Sequence, residues 1–143
     1  MSFREKAIEK VREADEFLRG IEIADFGHPT EFRRVFNACV GAARTGFWFV
    51  RAEDPAAYDA WEASLPATDQ EILVAVRTAR DIAMHAGGAE MSPNKVISYI
   101  PTPGNYRHTL ELIASDGSSV VLPAAGALRR YLGILRAKLG VVA

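Results

Sequence analysis

The sequence predicts a mainly α-helical single domain over residues 1–143, a helical bundle with a small antiparallel β meander before its C-terminal helix. Three observations carry this. Three long segments before residue 90 repeat apolar residues at three- and four-residue spacing. The stretch after Ser92-Pro93-Asn94 changes to alternating, β-branched residues bounded by turn signals. A leucine-spaced segment then closes the chain. With 143 residues, 49% of them hydrophobic, the chain suits one core that buries about two thirds of its unfolded surface.

The first helix is expected from Phe3 to Arg19, with Phe3, Ala7, Val11, Ala14 and Leu18 as its apolar stripe and charge elsewhere. Asp25-Phe26-Gly27-His28-Pro29 reads as a loop. Thr30 is the expected N-cap of a second long helix reaching Val50, with Phe32, Val35, Phe36, Cys39, Ala43, Phe47 and Val50 facing inward. Asp54-Pro55 breaks it, and residues 56–63, centred on Tyr58 and Trp61, form a short helical turn. Thr68 or Asp69 caps the third long helix, which should end near Ala86, ahead of Gly87-Gly88. Strands are expected at 96–100, 109–114 and 119–122, joined by Pro101-Thr102-Pro103-Gly104-Asn105 and Ser115-Asp116-Gly117-Ser118. A helix over 124–139 follows, with Leu128, Leu132, Leu135 and Leu139 on its buried stripe.

Cys39 is the only cysteine, so no intrachain disulfide can form, and its apolar helical setting marks a core residue. A reducing, cytoplasmic setting is the expectation. The N-terminus lacks an uninterrupted apolar stretch, and no segment approaches the ~20 apolar residues of a membrane span, so neither export nor membrane insertion is expected. Net charge is −1, but residues 1–90 carry 11 basic and 16 acidic groups whereas residues 91–143 carry 6 and 2. That balance argues against salt-driven, nonspecific nucleic-acid binding and leaves room for a local basic site.

The chemistry concentrates in Arg80-Asp81-Ile82-Ala83-Met84-His85 on the third long helix. At about 100° per residue, Ile72, Ala75, Val76, Ala79, Ile82, Ala83 and Ala86 form the half of the wheel expected to be buried. The other half holds Arg77, Arg80, Asp81 and His85, with Leu73 and Met84 in its middle, so contact with another surface is expected there. Asp81 and His85 stand one turn apart, where a carboxylate supports an imidazolium. Arg80 and His85 lie about 140° apart on the wheel, which favours a cleft completed by a second copy packed across Met84. The competing reading makes these residues a solvated, salt-bridged face.

The long helices, Phe36-Asn37-Ala38-Cys39-Val40-Gly41-Ala42-Ala43-Arg44, the Trp61 turn and the segment from Arg77 to His85 together resemble the HEPN superfamily over about residues 1–90. These are small helical proteins common in prokaryotic toxin–antitoxin and antiphage systems. The most specific part is the Arg-polar-x-x-x-His element. Residues 91–143, the β meander and last helix, lie outside the minimal HEPN bundle. The resemblance implies a metal-independent endoribonuclease, without cofactor, whose motifs meet at a homodimer interface, with RNA as substrate and a cognate antitoxin protein as a further partner. Arg80 would bind the scissile phosphate, His85 would transfer protons, and Asp81 would orient His85 or its symmetry mate. Leu73 and Met84 would lie at the dimer interface. The alternative within the same resemblance is an inactive interaction domain or a nucleotide-binding accessory subunit.

On the second helix, Asn37, Gly41, Arg44, Trp48 and Arg51 share one ridge. With Arg77, the residues Asn37, Arg44, Trp48 and Arg51 are the candidate RNA contacts, Trp48 under a base and the arginines on phosphates. The bland alternative packs Trp48 on the short helix and leaves the arginines in water. His28 and His108 have no ligand spacing around them, so no metal site is expected.

Overall fold

The computed structural model describes residues 1–23, 29–84, 95–101, 108–114 and 119–141, with side-chain surroundings at 1–21, 34–78, 80 and 124–141. The described chain is mainly helical. In order it runs α1 (Phe3–Ile23), α2 (Pro29–Glu53), α3 (Pro55–Ser64), α4 (Ala67–Met84), β1 (Lys95–Pro101), β2 (His108–Ala114), β3 (Ser119–Pro123) and α5 (Ala124–Leu139). No helix among the described residues is long and apolar enough to cross a membrane.

The stripe on α1 buries Ala7, Val11, Ala14, Leu18 and Ile21 against α2 and α5. Phe3, expected on that stripe, is 40% exposed because it sits in the first turn and stacks on Phe49 at the end of the hairpin. On α2 the buried side comprises Phe36, Cys39, Val40, Ala42, Ala43 and Phe47. Cys39 donates through Sγ to the Ala14 carbonyl at 3.4 Å, and burial pushes its thiol up to about 12. The folded protein therefore holds this proton more tightly than the unfolded chain, whose thiol titrates near 9.0. Its contribution is complete below pH 9 and falls as pH rises from there towards 12, by about 1.4 kcal/mol per unit. The gap in urea midpoint between wild type and Cys39→Ala should stay constant below pH 9 and shift against wild type above it.

Helix α5 is the centre of the molecule. Ala124, Ala127, Leu128, Tyr131, Leu132, Ile134, Leu135 and Leu139 are all buried, a broader face than the single leucine stripe expected. Gly140 ends it at φ +68°, and the Val141 N–H reaches the Arg136 carbonyl at 3.0 Å, a Schellman closure. The Arg4 guanidinium donates to the Leu139 carbonyl, and Arg136 pairs with Asp15, tying α5 to α1 at two points. A Cβ on Gly46 would stand 2.9 Å from Leu135 Cδ2 and 3.5 Å from the Ala7 carbonyl, so this glycine lets three helices meet. Gly46→Val should cost about 2 kcal/mol in urea denaturation. Gly41→Ala, whose Cβ finds only ordinary contacts from 3.6 Å outward, should gain up to about 1 kcal/mol from helix propensity.

Asp54 caps α3, its side chain accepting from the Ala57 N–H at 3.1 Å, with Pro55 in the first turn. The Gln70 side chain donates to the Ala63 and Leu65 carbonyls and closes α3 onto α4. The fourth helix begins at Ala67, ahead of the expected caps Thr68 and Asp69, because the Pro66 carbonyl accepts from the Asp69 and Gln70 N–H groups. Ile72, Leu73, Ala75 and Val76 are buried. The three strands pair antiparallel in the order β1-β2-β3, with Val96 opposite Ile113 and Leu110 opposite Leu122, and β3 runs directly into α5.

Leu73 corrects the expectation of an exposed hydrophobic centre on α4. It is 2% exposed, because α4 packs against both α2 and α5 and so buries more than one side. Val74 is the outward residue, at 51%. Leu73 therefore belongs to the monomer core and is withdrawn as a dimer contact.

Candidate functional site

Arg77 and Arg80 lie one turn apart on α4 and meet opposite fates. The Arg77 guanidinium donates to Glu62 Oε1 at 2.7 Å, to the Tyr131 hydroxyl at 3.2 Å and to the Tyr58 hydroxyl at 3.4 Å. It also lies 4.9 Å from the Phe47 ring centroid, and Phe47 in turn packs on Tyr131 at 5.1 Å. Burial works against its charge, but the tyrosine and Glu62 contacts outweigh that and keep it firmly protonated. Burial raises both phenols, so Tyr58 and Tyr131 stay neutral and accept from Arg77. Arg77 thus joins α2, α3, α4 and α5. Three of its N–H groups are thus engaged inside the fold at a residue expected to contact RNA.

Arg80 forms no ion pair among the described residues. Its guanidinium lies over Gly41 of α2, where a Cβ would stand 3.6 Å from Nη2 and 3.7 Å from Nε. Nε is buried and has no acceptor. One turn back along α2, the Asn37 Oδ1 is buried and has no donor. Orphaned buried polar atoms each cost about 1–3 kcal/mol, so two on one helix seam are an unusual expense for stability alone.

Arg44 stands on the same ridge, half-buried, and its charge reaches the Tyr131 phenol. Trp48 follows one turn further on and is 60% exposed, with its ring edge-on to Phe49 at 5.3 Å; it does not pack on the short helix. Arg51 turns to α3 and forms a two-point pair with Asp59 at 3.0 and 3.2 Å, which raises the guanidinium and lowers the carboxyl from their usual values. The structure therefore lays Arg80 over Gly41, one turn from Asn37, while Arg51 engages Asp59 and Arg77 engages Glu62, Tyr58 and Tyr131. Asp81 and Met84 lie on α4 with side chains outside the described residues, and His85 lies outside them altogether.

Sequence reasoning missed the ring of partners around Arg77. Tyr131 is 54 positions away and Glu62 is 15, so no local spacing announces them. The seat of Arg80 had one signal, a glycine interrupting a polar ridge. Asn37, Arg44 and Arg80 can bind an anion and stabilise developing negative charge. No protein-family model, curated protein or solved structure matches the chain.

Proposed function

We propose that the chain is a HEPN-type, metal-independent endoribonuclease of the kind found in toxin–antitoxin systems, acting as a cytoplasmic homodimer without a cofactor. In this reading α1–α4 are the HEPN-like bundle and RNA is the substrate. Arg80 holds the scissile phosphate and stabilises the charge that develops on it. His85 takes the ribose 2′-hydroxyl proton or protonates the leaving oxygen, Asp81 orients it, and the products carry a 2′,3′-cyclic phosphate and a 5′-hydroxyl. A second protomer completes the cleft, and a cognate antitoxin protein is the regulatory partner.

The observation that supports this reading is the seating of Arg80: a charged donor laid over a glycine, its Nε buried without an acceptor among the described residues. A donor already desolvated and positioned interacts more strongly with a developing charge than one that must first leave water.

The test is cleavage of labelled single-stranded RNA in excess chelator by wild type and His85→Ala, matched for fold and sedimentation. Wild type should cut and leave a cyclic phosphate end, and His85→Ala should not. Equal cutting by both, or cutting that needs a divalent ion, would overturn the assignment.

A further inference from the structure

Among the described side chains of α2, Trp48 is the one large aromatic left exposed, yet it is held in place. Its ring meets Phe49 edge-on at 71°, Phe49 stacks on Phe3 at 6.3 Å, and the Lys6 ammonium lies 5.7 Å from both phenylalanine centroids. Three rings and a cation thus gather at one end of the α1–α2 hairpin. Trp48 is seven residues from Gly41 on the same face of α2, about 10 Å along the axis, and Arg44 lies between them. The anchored, exposed ring is continuous with the seam that seats Arg80.

We propose that Trp48 is a stacking seat for an unpaired base of the RNA whose phosphate Arg80 holds; this rests on the ribonuclease reading above. An indole presents a flat π-face, and every base offers one in return, so the contact tolerates sequence. A duplex keeps its bases stacked on one another, with no free face to give. The Lys6 charge beside the rings favours a polyanion over an apolar partner at this end of the hairpin.

The chain has two tryptophans, and Trp61 lies under the Lys138 ammonium, away from this ridge. Trp61→Phe therefore leaves Trp48 as the sole indole reporter in the intact protein. The probe is a short 2′-O-methyl oligouridylate, which cannot undergo 2′-hydroxyl attack, compared with a 2′-O-methyl duplex of equal length. Binding should quench the Trp48 emission and should be weaker for the duplex. Trp48→Ala should weaken single-strand binding about 5- to 100-fold and Trp48→Phe should restore much of it. Because Trp48 is exposed, the melting temperature should not move. If the wild type binds the single strand but Trp48→Ala binds equally and the emission stays constant, the stacking seat is wrong and the ribonuclease reading stands. If wild type binds neither strand form and cuts no RNA, both fall. Emission that follows protein concentration instead would assign the ring to a second copy and overturn the proposal.

Discussion

Arg77→Met should lower the unfolding free energy by about 2–3 kcal/mol, read as a fall in urea midpoint at unchanged slope. The side-chain length is kept, so the loss is one of charge and hydrogen bonds. Glu62 is left without its counterion in a setting only 29% exposed, Tyr58 and Tyr131 each lose a donor, and the cation over Phe47 disappears. Because the pair is about one quarter exposed, the effect falls at or below the lower end of the range for fully buried pairs. The double variant Arg77→Met/Glu62→Leu should recover part of the loss, since the orphaned carboxylate is gone. A single variant as stable as wild type would remove Arg77 from its place as the tie between α3, α4 and α5.

Arg80→Met should do the reverse. Stability should stay within about 1 kcal/mol of wild type or rise, because the buried Nε has no acceptor to lose and methionine packs over Gly41 without one. RNA cleavage should fall by about 100- to 1,000-fold, the cost of removing one donor aimed at developing charge. A residue whose removal leaves the fold alone but ends activity is placed for function. A melting temperature that fell as far as that of Arg77→Met would make Arg80 a second structural tie, and its unpaired state would then need another explanation.

The contrast between these two arginines shows where the sequence stops informing. The stripes on α1, α2 and α5 were legible because each helix presents one main side to the core, and Val11, Phe36 and Leu132 are buried where the spacing puts them. Leu73 was not, because a wheel assumes one buried side and α4 packs against both α2 and α5. Tyr131 was hidden among the leucines of α5, and its hydroxyl gains meaning only from Arg77. The ridge of Asn37, Gly41, Arg44, Trp48 and Arg51 was readable as a ridge. Which of its members are spent on neighbours was not, since Asp59 takes Arg51 through a packing of α3 that no spacing encodes. The Arg–His motif was legible as types in a pattern, and the structure adds the seat of Arg80.

In the proposed ribonuclease, Arg80 and His85 act on RNA within one composite cleft shared by two protomers. The measurement that tests it most directly is chelator-resistant cleavage by Arg80→Met, by His85→Ala and by their equimolar mixture after subunit exchange. A shared site predicts two inactive variants and recovery of cleavage in the mixture, because half the dimers are mixed and each unites one Arg80 with one His85. Cutting by either variant alone, or a mixture as silent as its components while wild type cuts, would contradict it.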